Sequence, residues 1–245
     1  MGKLILDNMK KKEVLGSMVQ LKVIDLKRSG KFFRELGFES INGPIEGDVY
    51  LTDGTVRLAL TTAEEPPLGL VYVVDDIDAI LKSYPDANLE PSKTNKDLYI
   101  SKSPAGVTFS ILRGNGFKFE ELSGNPIGLC GTYFELSIQT AEYPAECEFW
   151  RRLGMETIYS DDKANTWMTL ADDCQKVGVF MEGIVSHPFR SPALTYFEKD
   201  MKDRIALVKE LGMEFAYAEP SACGTGIRDA VLDSPAGYQI FLFSA

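Results

Sequence analysis

The amino-acid sequence predicts an α+β fold built from four βαβββ units, each containing a strand, a helix and three further strands. Three observations support this prediction. The segment FFRELGF at 32–38 matches FWRRLGM at 149–155, and a third ending of this kind, LVKELGM, occurs at 207–213. The turn sequence Ser-Pro-Ala-Gly occurs at both 103–106 and 234–237. Strand-like alternation precedes the helices, so the spacing indicates a duplicated unit.

The first unit shows the reasoning for each element. Residues 19–23 alternate with period two, as a half-buried strand does. A helix is predicted from about residue 27 to Gly37, because glycine tolerates the left-handed conformation that ends helices. Short β-rich segments then follow around the turn Asp53-Gly54. The order is therefore βαβββ.

The remaining units repeat this order. We expect strands near 69–74, 133–138 and 193–197, each followed by a helix, at 77–83, 144–153 and 201–211. Glycine and asparagine cluster with a proline between 114 and 131, which indicates a linker. We therefore expect two domains, at 1–120 and 121–245, with two units in each.

One helix per unit sets a packing problem. A single helix covers only one face of its small sheet, so the other face must curl against a second unit and enclose a cup. If Val19 and Leu21 face the helix, alternation places Gln20 and Lys22 on the opposite face. On each strand, the side chains that face away from the helix are therefore expected to line a cup.

Composition and charge narrow the function classes. The chain has 245 residues, of which 44% are apolar and 25% charged, as in an ordinary globular protein. Its formal net charge of −10 disfavours a nucleic-acid partner. No apolar run is long enough to span a bilayer, and residues 1–12 lack an apolar signal core. We expect a cytoplasmic protein that does not bind membranes.

Cysteine and histidine usage argues against nucleophilic hydrolysis. Cys130, Cys147, Cys174 and Cys223 form no CxxC pair, and we expect them to be reduced thiols. His187 is the only histidine and is expected in a surface loop. No nucleophile turn of the G-x-S-x-G type occurs, so a Ser-His-Asp triad is disfavoured.

The pattern also resembles a known family. The order of motifs in the first half resembles the vicinal oxygen chelate superfamily. These motifs are a strand, Asp25-Leu26, an aromatic pair on a helix, Leu-Gly-Phe at 36–38, and Ser-Pro-Ala-Gly at 103–106 before a last strand. That group includes glyoxalases, extradiol dioxygenases, fosfomycin-resistance enzymes and bleomycin-resistance proteins. The resemblance runs from Met18 to the C-terminus. It implies two glyoxalase/bleomycin-resistance-like domains, each pairing two units, with curled mixed sheets that form cups.

The resemblance also implies where a metal would be held. Metal-dependent members carry His or Glu ligands on the first, fourth, fifth and eighth strands of the repeat. The matching residues here are Met18, Ala59, Gly69 and Ser110 in the first half, and Tyr133, Phe180, Ala193 and Phe241 in the second. None is a histidine or a carboxylate, and one serine and one tyrosine cannot hold a hard divalent ion. We therefore expect no metal and no cofactor.

The two predicted cups differ in their linings. In the first half the predicted concave residues are polar and locally basic: Gln20, Lys22, Arg57, Thr108 and Ser110. They could bind a carboxylate or phosphate, or could simply face water. In the second half the set is aromatic with two carboxylates: Tyr133, Glu135, Phe180, Glu182, Phe197, Gln239, Phe241 and Phe243. It suits a planar or cationic organic molecule, or else the rings only fill the cup.

Two functional hypotheses follow. The first is a metal-free binding protein that holds a small organic molecule in the aromatic cup, with Lys22, Arg57 and Ser110 as further candidate ligand residues. The alternative is a lyase or dioxygenase-like enzyme with a non-standard metal site, or with acid–base chemistry at Glu135 or Glu182; its catalytic residues are otherwise unknown. A scaffold that acts through partners and a homodimer both remain open. Residues 183–191 either cover the mouth of the cup or form a plain connection.

Overall fold

A computed structural model describes residues 14–65, 68–85, 87–222, 224 and 226–245. The expectations for residues 1–12 and Cys223 lie outside this part of the chain. The first half contains two units of identical element order. They comprise β1 (Val14–Lys22), α1 (Leu26–Glu35), β2 (Glu39–Ile41), β3 (Val49–Thr52) and β4 (Arg57–Thr61), then β5 (Leu68–Val74), α2 (Ile77–Ser83), β6 (Glu90–Pro91), β7 (Leu98–Lys102) and β8 (Thr108–Arg113).

The second half repeats the same order of elements. Its units comprise β9 (Thr132–Thr140), α3 (Tyr143–Arg152), β10 (Glu156–Ser160), β11 (Trp167–Ala171) and β12 (Lys176–Met181), then β13 (Ala193–Glu198), α4 (Met201–Glu210), β14 (Phe215–Pro220), β15 (Ile227–Asp233) and β16 (Gln239–Ser244). The predicted α+β fold of four βαβββ units is thus confirmed, and the predicted helices differ from the observed ones by two residues at most at each end.

Each half forms one mixed eight-stranded sheet. The strand orders are β2-β3-β4-β1-β5-β8-β7-β6 and β10-β11-β12-β9-β13-β16-β15-β14. The first strands of paired units run antiparallel at the centre of each sheet, with Val19 opposite Leu70 and Glu135 opposite Thr195. Units therefore pair within a half of the chain. The domain boundary at 120/121 remains a prediction.

The repeated motifs have the same local structure in both halves. Gly37 and Gly154 follow the ends of α1 and α3 with φ of 89° and 83°, in the left-handed region that glycine favours. In both Ser-Pro-Ala-Gly turns the serine backbone N–H donates to a carbonyl four residues later, at 2.8 Å. The sequence repeats thus mark equivalent helix ends and turns.

The helices of both halves cover one continuous apolar core. Phe33 of α1 and Trp150 of α3 are fully buried in it. Polar contacts join the halves around this core: the Tyr238 hydroxyl donates to the Lys22 carbonyl and the Tyr72 hydroxyl donates to Asp172, both at 2.7 Å. The helix-facing surfaces of the two sheets therefore pack into one shared core.

The described thiols are free, and the described helices are short. Cys130 and Cys147 are buried, and Cys174 is partly buried. Burial raises the pKa of the Cys174 thiol to about 12, which disfavours the nucleophilic thiolate. No helix in the described ranges is both long and apolar enough to cross a membrane.

The glycine after α1 provides a test of the fold. In Gly37→Ala the new Cβ would lie 2.9 Å from the Gly128 backbone at a positive φ, whereas in Gly212→Ala it would meet nothing within 4 Å at a similar φ of 76°. We expect Gly212→Ala to cost about 1 kcal/mol and Gly37→Ala about 2 kcal/mol more, because only the latter also creates overlap. Urea unfolding measures both; equal losses would contradict the close packing.

Candidate functional site

The concave face of the first sheet is covered by apolar side chains. Met18 and Val71 lie at its centre, fully buried together with Ala59. The connecting segment after β8 packs on this layer through Phe119, whose ring lies so close to Gly16 that a Cβ there would be 2.5 Å away. The expectation of a polar, basic cup in the first half is therefore wrong, because apolar residues and the linker fill this face.

The three candidate ligand residues of the first half lie apart. Lys22, at the end of β1, forms an ion pair with Glu64 at 2.5 Å. Arg57 is buried, with its guanidinium 4.7 Å from the centre of the Phe119 ring and one N–H donating to the Glu120 carbonyl. Ser110 is fully buried in the sheet. The structure does not bring them together in one site.

The concave face of the second sheet encloses an open cavity of about 560 Å³, called the cup below. Its walls are mainly aromatic rings, and its floor carries one carboxylate among hydroxyl groups. The wall residues are Phe134, Tyr159, Trp167, Phe180, Val185, His187, Phe189, Phe197, Phe241 and Phe243, and the floor residues are Glu135, Ser137, Thr169 and Thr195. Glu135, Phe180, Phe197 and Phe241, predicted from the sequence, are among them. Their ligand-binding role remains a prediction.

The floor is a hydrogen-bonded network centred on Glu135. Ser137 donates to Glu135 Oε1 at 2.9 Å, and Thr169 donates to Glu135 Oε2 at 2.8 Å. The hydroxyls of Ser137 and Thr195 are 2.6 Å apart. Gly178 on the adjacent strand leaves room for the carboxylate, because a Cβ there would lie 1.9 Å from Glu135 Oε1. The local sequence therefore keeps space for an acid in this position.

Burial controls the protonation of this acid. The Glu135 side chain is only 3% exposed. Desolvation raises its pKa from 4.5 to about 7, while the hydrogen bonds from Thr169 and Ser137 and the charge of Lys176 act in the opposite direction. Glu135 therefore titrates near neutral pH.

The segment between β12 and β13 forms one wall of the cup. His187 lies 4.7 Å from the Phe241 ring, measured between centroids, and Phe189 lies 4.9 Å from it. The backbone N–H of Arg190 donates to Gln239 Oε1 at 2.6 Å, and its guanidinium pairs with Asp233. Residues 183–191 are therefore not a plain connection, because Val185, His187 and Phe189 line the cup; that they cover its mouth remains a prediction.

Tyr133 does not face the cup, contrary to the expectation. The pairing of β9 with β13 shifts register here, because Thr195 is opposite Glu135 while Tyr196 is opposite Tyr133. Phe134 is the extra residue of this irregularity and takes the place in the cup. Tyr133 instead lies against the Tyr196 ring at 5.6 Å.

Glu182 and Gln239 also lie outside the cup lining. Strand β12 ends at Met181, so the chain leaves the sheet before Glu182, which is exposed. Gln239 is fully buried and is not among the residues that line the cavity. Its amide N–H donates to Asp233 at 3.1 Å, and its amide oxygen accepts from the backbone N–H of Arg190, in the segment 183–191. Gln239 thus positions that segment instead of facing the cavity.

Several lining residues were not identified from the sequence. Trp167 and Thr169 belong to an alternating segment, 167–171, whose period-two pattern could have identified them. Ser137 follows Glu135 by two positions and could have been found in the same way. Phe134 could not, since a register shift is not visible in one strand. His187, expected at the surface, lines the wall.

Structural comparison places this geometry among known folds. No protein-family model matches the chain, and no curated protein matches it. Among solved structures, a catechol 2,3-dioxygenase superposes with a TM-score of 0.57 at 13% identity, covering 95% of this chain and 88% of that one. A homoprotocatechuate 2,3-dioxygenase variant from Brevibacterium fuscum gives 0.61 at 14%, covering 95% and 72%. An Mn(II)-bound glyoxalase from Novosphingobium aromaticivorans gives 0.59 at 16%, covering 95% and 82%.

The chain has the vicinal oxygen chelate fold. The similarity extends over both halves, in agreement with the resemblance inferred from the repeats. At these low identities it concerns the fold, and the site must be judged on its own residues.

The residues of the cup do not fit the divalent ion that the vicinal oxygen chelate fold implies. Of the expected ligand positions in the second half, Phe180 and Phe241 contribute rings, Ala193 offers no donor and Tyr133 points elsewhere. Glu135 is one carboxylate whose two oxygens already accept hydrogen bonds from hydroxyls. The described residues contain no group of three or more His, Cys, Asp or Glu side chains that could hold a metal.

The titration of Glu135 should appear in the stability of the protein. The pKa of Glu135 is higher in the folded state than in the unfolded state, so the folded state binds the proton more tightly. The contribution of Glu135 to the free energy of unfolding is therefore fully present below pH 4.5 and is lost as the pH rises through about 7. The loss should be up to about 3 kcal/mol relative to Glu135→Gln. Urea unfolding between pH 4.5 and 8 measures this difference. The exposed Glu182→Gln is the matched control; a parallel pH profile of wild type and Glu135→Gln would contradict the shift.

Proposed function

We propose that the cup of the second half binds a small organic molecule with a planar or cationic body, without a resident metal. The observation that carries this proposal is a cavity of about 560 Å³ with aromatic walls and a single buried carboxylate at its floor. Small-molecule sites have volumes of roughly 300–1,000 Å³ and are lined mainly by apolar and aromatic side chains with a few placed polar groups. The cup has this character.

The arrangement of the rings favours a flat ligand. Trp167 and Phe180 are nearly parallel, with centroids 6.4 Å apart at 21°. Phe241 and Phe243 form a second nearly parallel pair at 5.5 Å and 27°. A planar molecule could stack on these surfaces, and a cation could be attracted to their faces. Among the residues expected from the sequence, we assign ligand contact to Glu135, Phe180, Phe197 and Phe241.

The proposal also assigns the candidate site to one of two domains. We infer that residues 1–120 and 121–245 are the two domains, with the ligand site in the second. The first domain, whose concave face is covered by Met18, Val71 and the linker residue Phe119, would then support the second through the shared core.

Ligand binding should stabilise the protein without a metal. We expect a naphthalene-based probe such as 2-naphthylmethylamine or 2-naphthylmethanol to raise the melting temperature, because a ligand at 100 times its Kd stabilises by about 2.7 kcal/mol. The shift should be the same with and without EDTA. Differential scanning fluorimetry measures it. A folded protein that shows no shift with either probe contradicts the binding role, and a shift abolished by EDTA contradicts its metal-free character.

The aromatic wall can be tested by one substitution. Phe180→Ala should weaken probe binding at least fivefold, because the substitution removes a partly exposed stacking surface and leaves the floor intact. Phe117→Ala, an aromatic deletion in the linker, is the matched control and should bind as wild type. Isothermal titration calorimetry at 25 °C measures both. Equal affinities for the two variants would contradict a site in the cup.

A second candidate is an enzyme of the lyase or dioxygenase-like class that uses acid–base chemistry. One observation favours it: the pKa of Glu135, at about 7, lies where a general base works best at neutral pH. In that case Glu135 would remove a proton from a carbon beside a carbonyl of the bound molecule. Glu182 is not a candidate base, because it lies outside the cup.

This candidate predicts proton exchange on a bound ketone. With 2-naphthylacetone in D₂O, wild type should accelerate deuterium incorporation at the methylene between ring and carbonyl. Glu135→Gln should abolish the acceleration, and Glu182→Gln should preserve it. NMR follows the methylene signal. Exchange at the buffer rate with bound ketone would favour the binding protein over the enzyme.

A further inference from the structure

When Glu135 is ionised, the hydrogen-bond directions in the cup floor are fixed by the number of hydroxyl hydrogens. An ionised carboxylate only accepts, and each hydroxyl has one hydrogen to donate. Ser137 and Thr169 give theirs to the two oxygens of Glu135. Since the Ser137 hydrogen is used, Thr195 must be the donor in the 2.6 Å contact between Thr195 and Ser137. All three hydroxyl hydrogens therefore point toward the carboxylate, directly or through Ser137.

This arrangement determines what the floor offers to a ligand. Glu135, Thr169 and Thr195 all line the cavity. Because the hydroxyl hydrogens are committed, these side chains present only oxygen lone pairs to the cavity. A ligand group that only accepts hydrogen bonds would find no donor among them and would face a negative charge. A group with N–H donors would match this floor.

The charge balance points in the same direction. No Lys, Arg or His of the described chain lies within ion-pair distance of Glu135. The ammonium of Lys176 instead lies 4.6 Å from the centre of the Phe134 ring. Lys176 acts on Glu135 only through attraction beyond ion-pair distance, so a positively charged ligand group would supply the direct partner that this buried carboxylate lacks.

We propose that the cup selects organic cations that carry N–H donors, such as a protonated amine or amidine on a planar apolar body, and that the cationic group is inserted toward Glu135. This inference rests on the proposed binding function and specifies the chemical class of its ligand. The planar body would stack between the walls, and each N–H would donate to a carboxylate or hydroxyl lone pair. A quaternary ammonium keeps the charge but lacks the donors, and therefore binds more weakly.

Four probes that share one ring system test this selectivity. They are 2-naphthylmethylamine, its N,N,N-trimethyl derivative, 2-naphthylmethanol and 2-naphthoate, titrated into the full chain by calorimetry at pH 8. We expect the primary amine to bind at least tenfold more tightly than the alcohol and the quaternary compound, and the carboxylate to bind most weakly. Glu135→Gln should reduce the affinity for the amine at least tenfold and change that for the alcohol less than threefold. Glu182→Gln should change neither affinity.

A measurement on wild type alone avoids dependence on variant folding. A cation binds the ionised form of Glu135, so binding must release a proton when the acid is protonated. Affinity for the amine should therefore fall by roughly tenfold per pH unit below about 7. The other charged or titratable groups at this site are Lys176 and His187. Affinity for the alcohol should stay constant in the same range.

The outcomes separate this inference from the proposed function. If the alcohol or the carboxylate binds as tightly as the amine, or if amine affinity is independent of pH between 5 and 8, the selectivity for N–H cations is wrong and the cup still binds ligands. If a folded protein binds none of the four probes, the proposed function fails, and the inference fails with it.

Discussion

The structure depends on one packing constraint: each unit supplies one helix for four strands. The helices can cover only one face of each eight-stranded sheet, and that face joins the continuous core of both halves. The other face must be covered in some other way. In the first half Met18, Val71 and Phe119 cover it. In the second half the same face stays open as the cup. The two halves therefore share one architecture but differ in how the face opposite the helices is covered.

Much of the fold could be predicted because its signals are local. The Leu-Gly helix ends and the Ser-Pro-Ala-Gly turns each depend on a few consecutive residues, and both recur with the same conformation in the two halves. Alternation along single strands then placed Glu135, Phe180 and Phe241 on one face correctly. Each of these inferences needs no knowledge of a neighbouring strand.

The site was harder to predict because its errors depend on contacts between distant segments. Tyr133 was misplaced by a register shift against β13. The prediction of an open cup in the first half was wrong because the linker residue Phe119 packs against this face of the sheet. Gln239 instead positions the segment 183–191, because it accepts a hydrogen bond from the backbone N–H of Arg190, 49 residues earlier in the chain. A single sequence contains no direct record of such pairings.

The shared core has a consequence for how the second half could be used in isolation. The apolar surface of α3 and the residues around Trp150 continue into the core of the first half. The amide of Ala105 also donates to the buried Glu146 of α3 at 2.8 Å. Removing the first half would expose this surface to water and take away that donor. The cup is therefore not a detachable module, and any attempt to transplant it into another scaffold would have to carry both halves along.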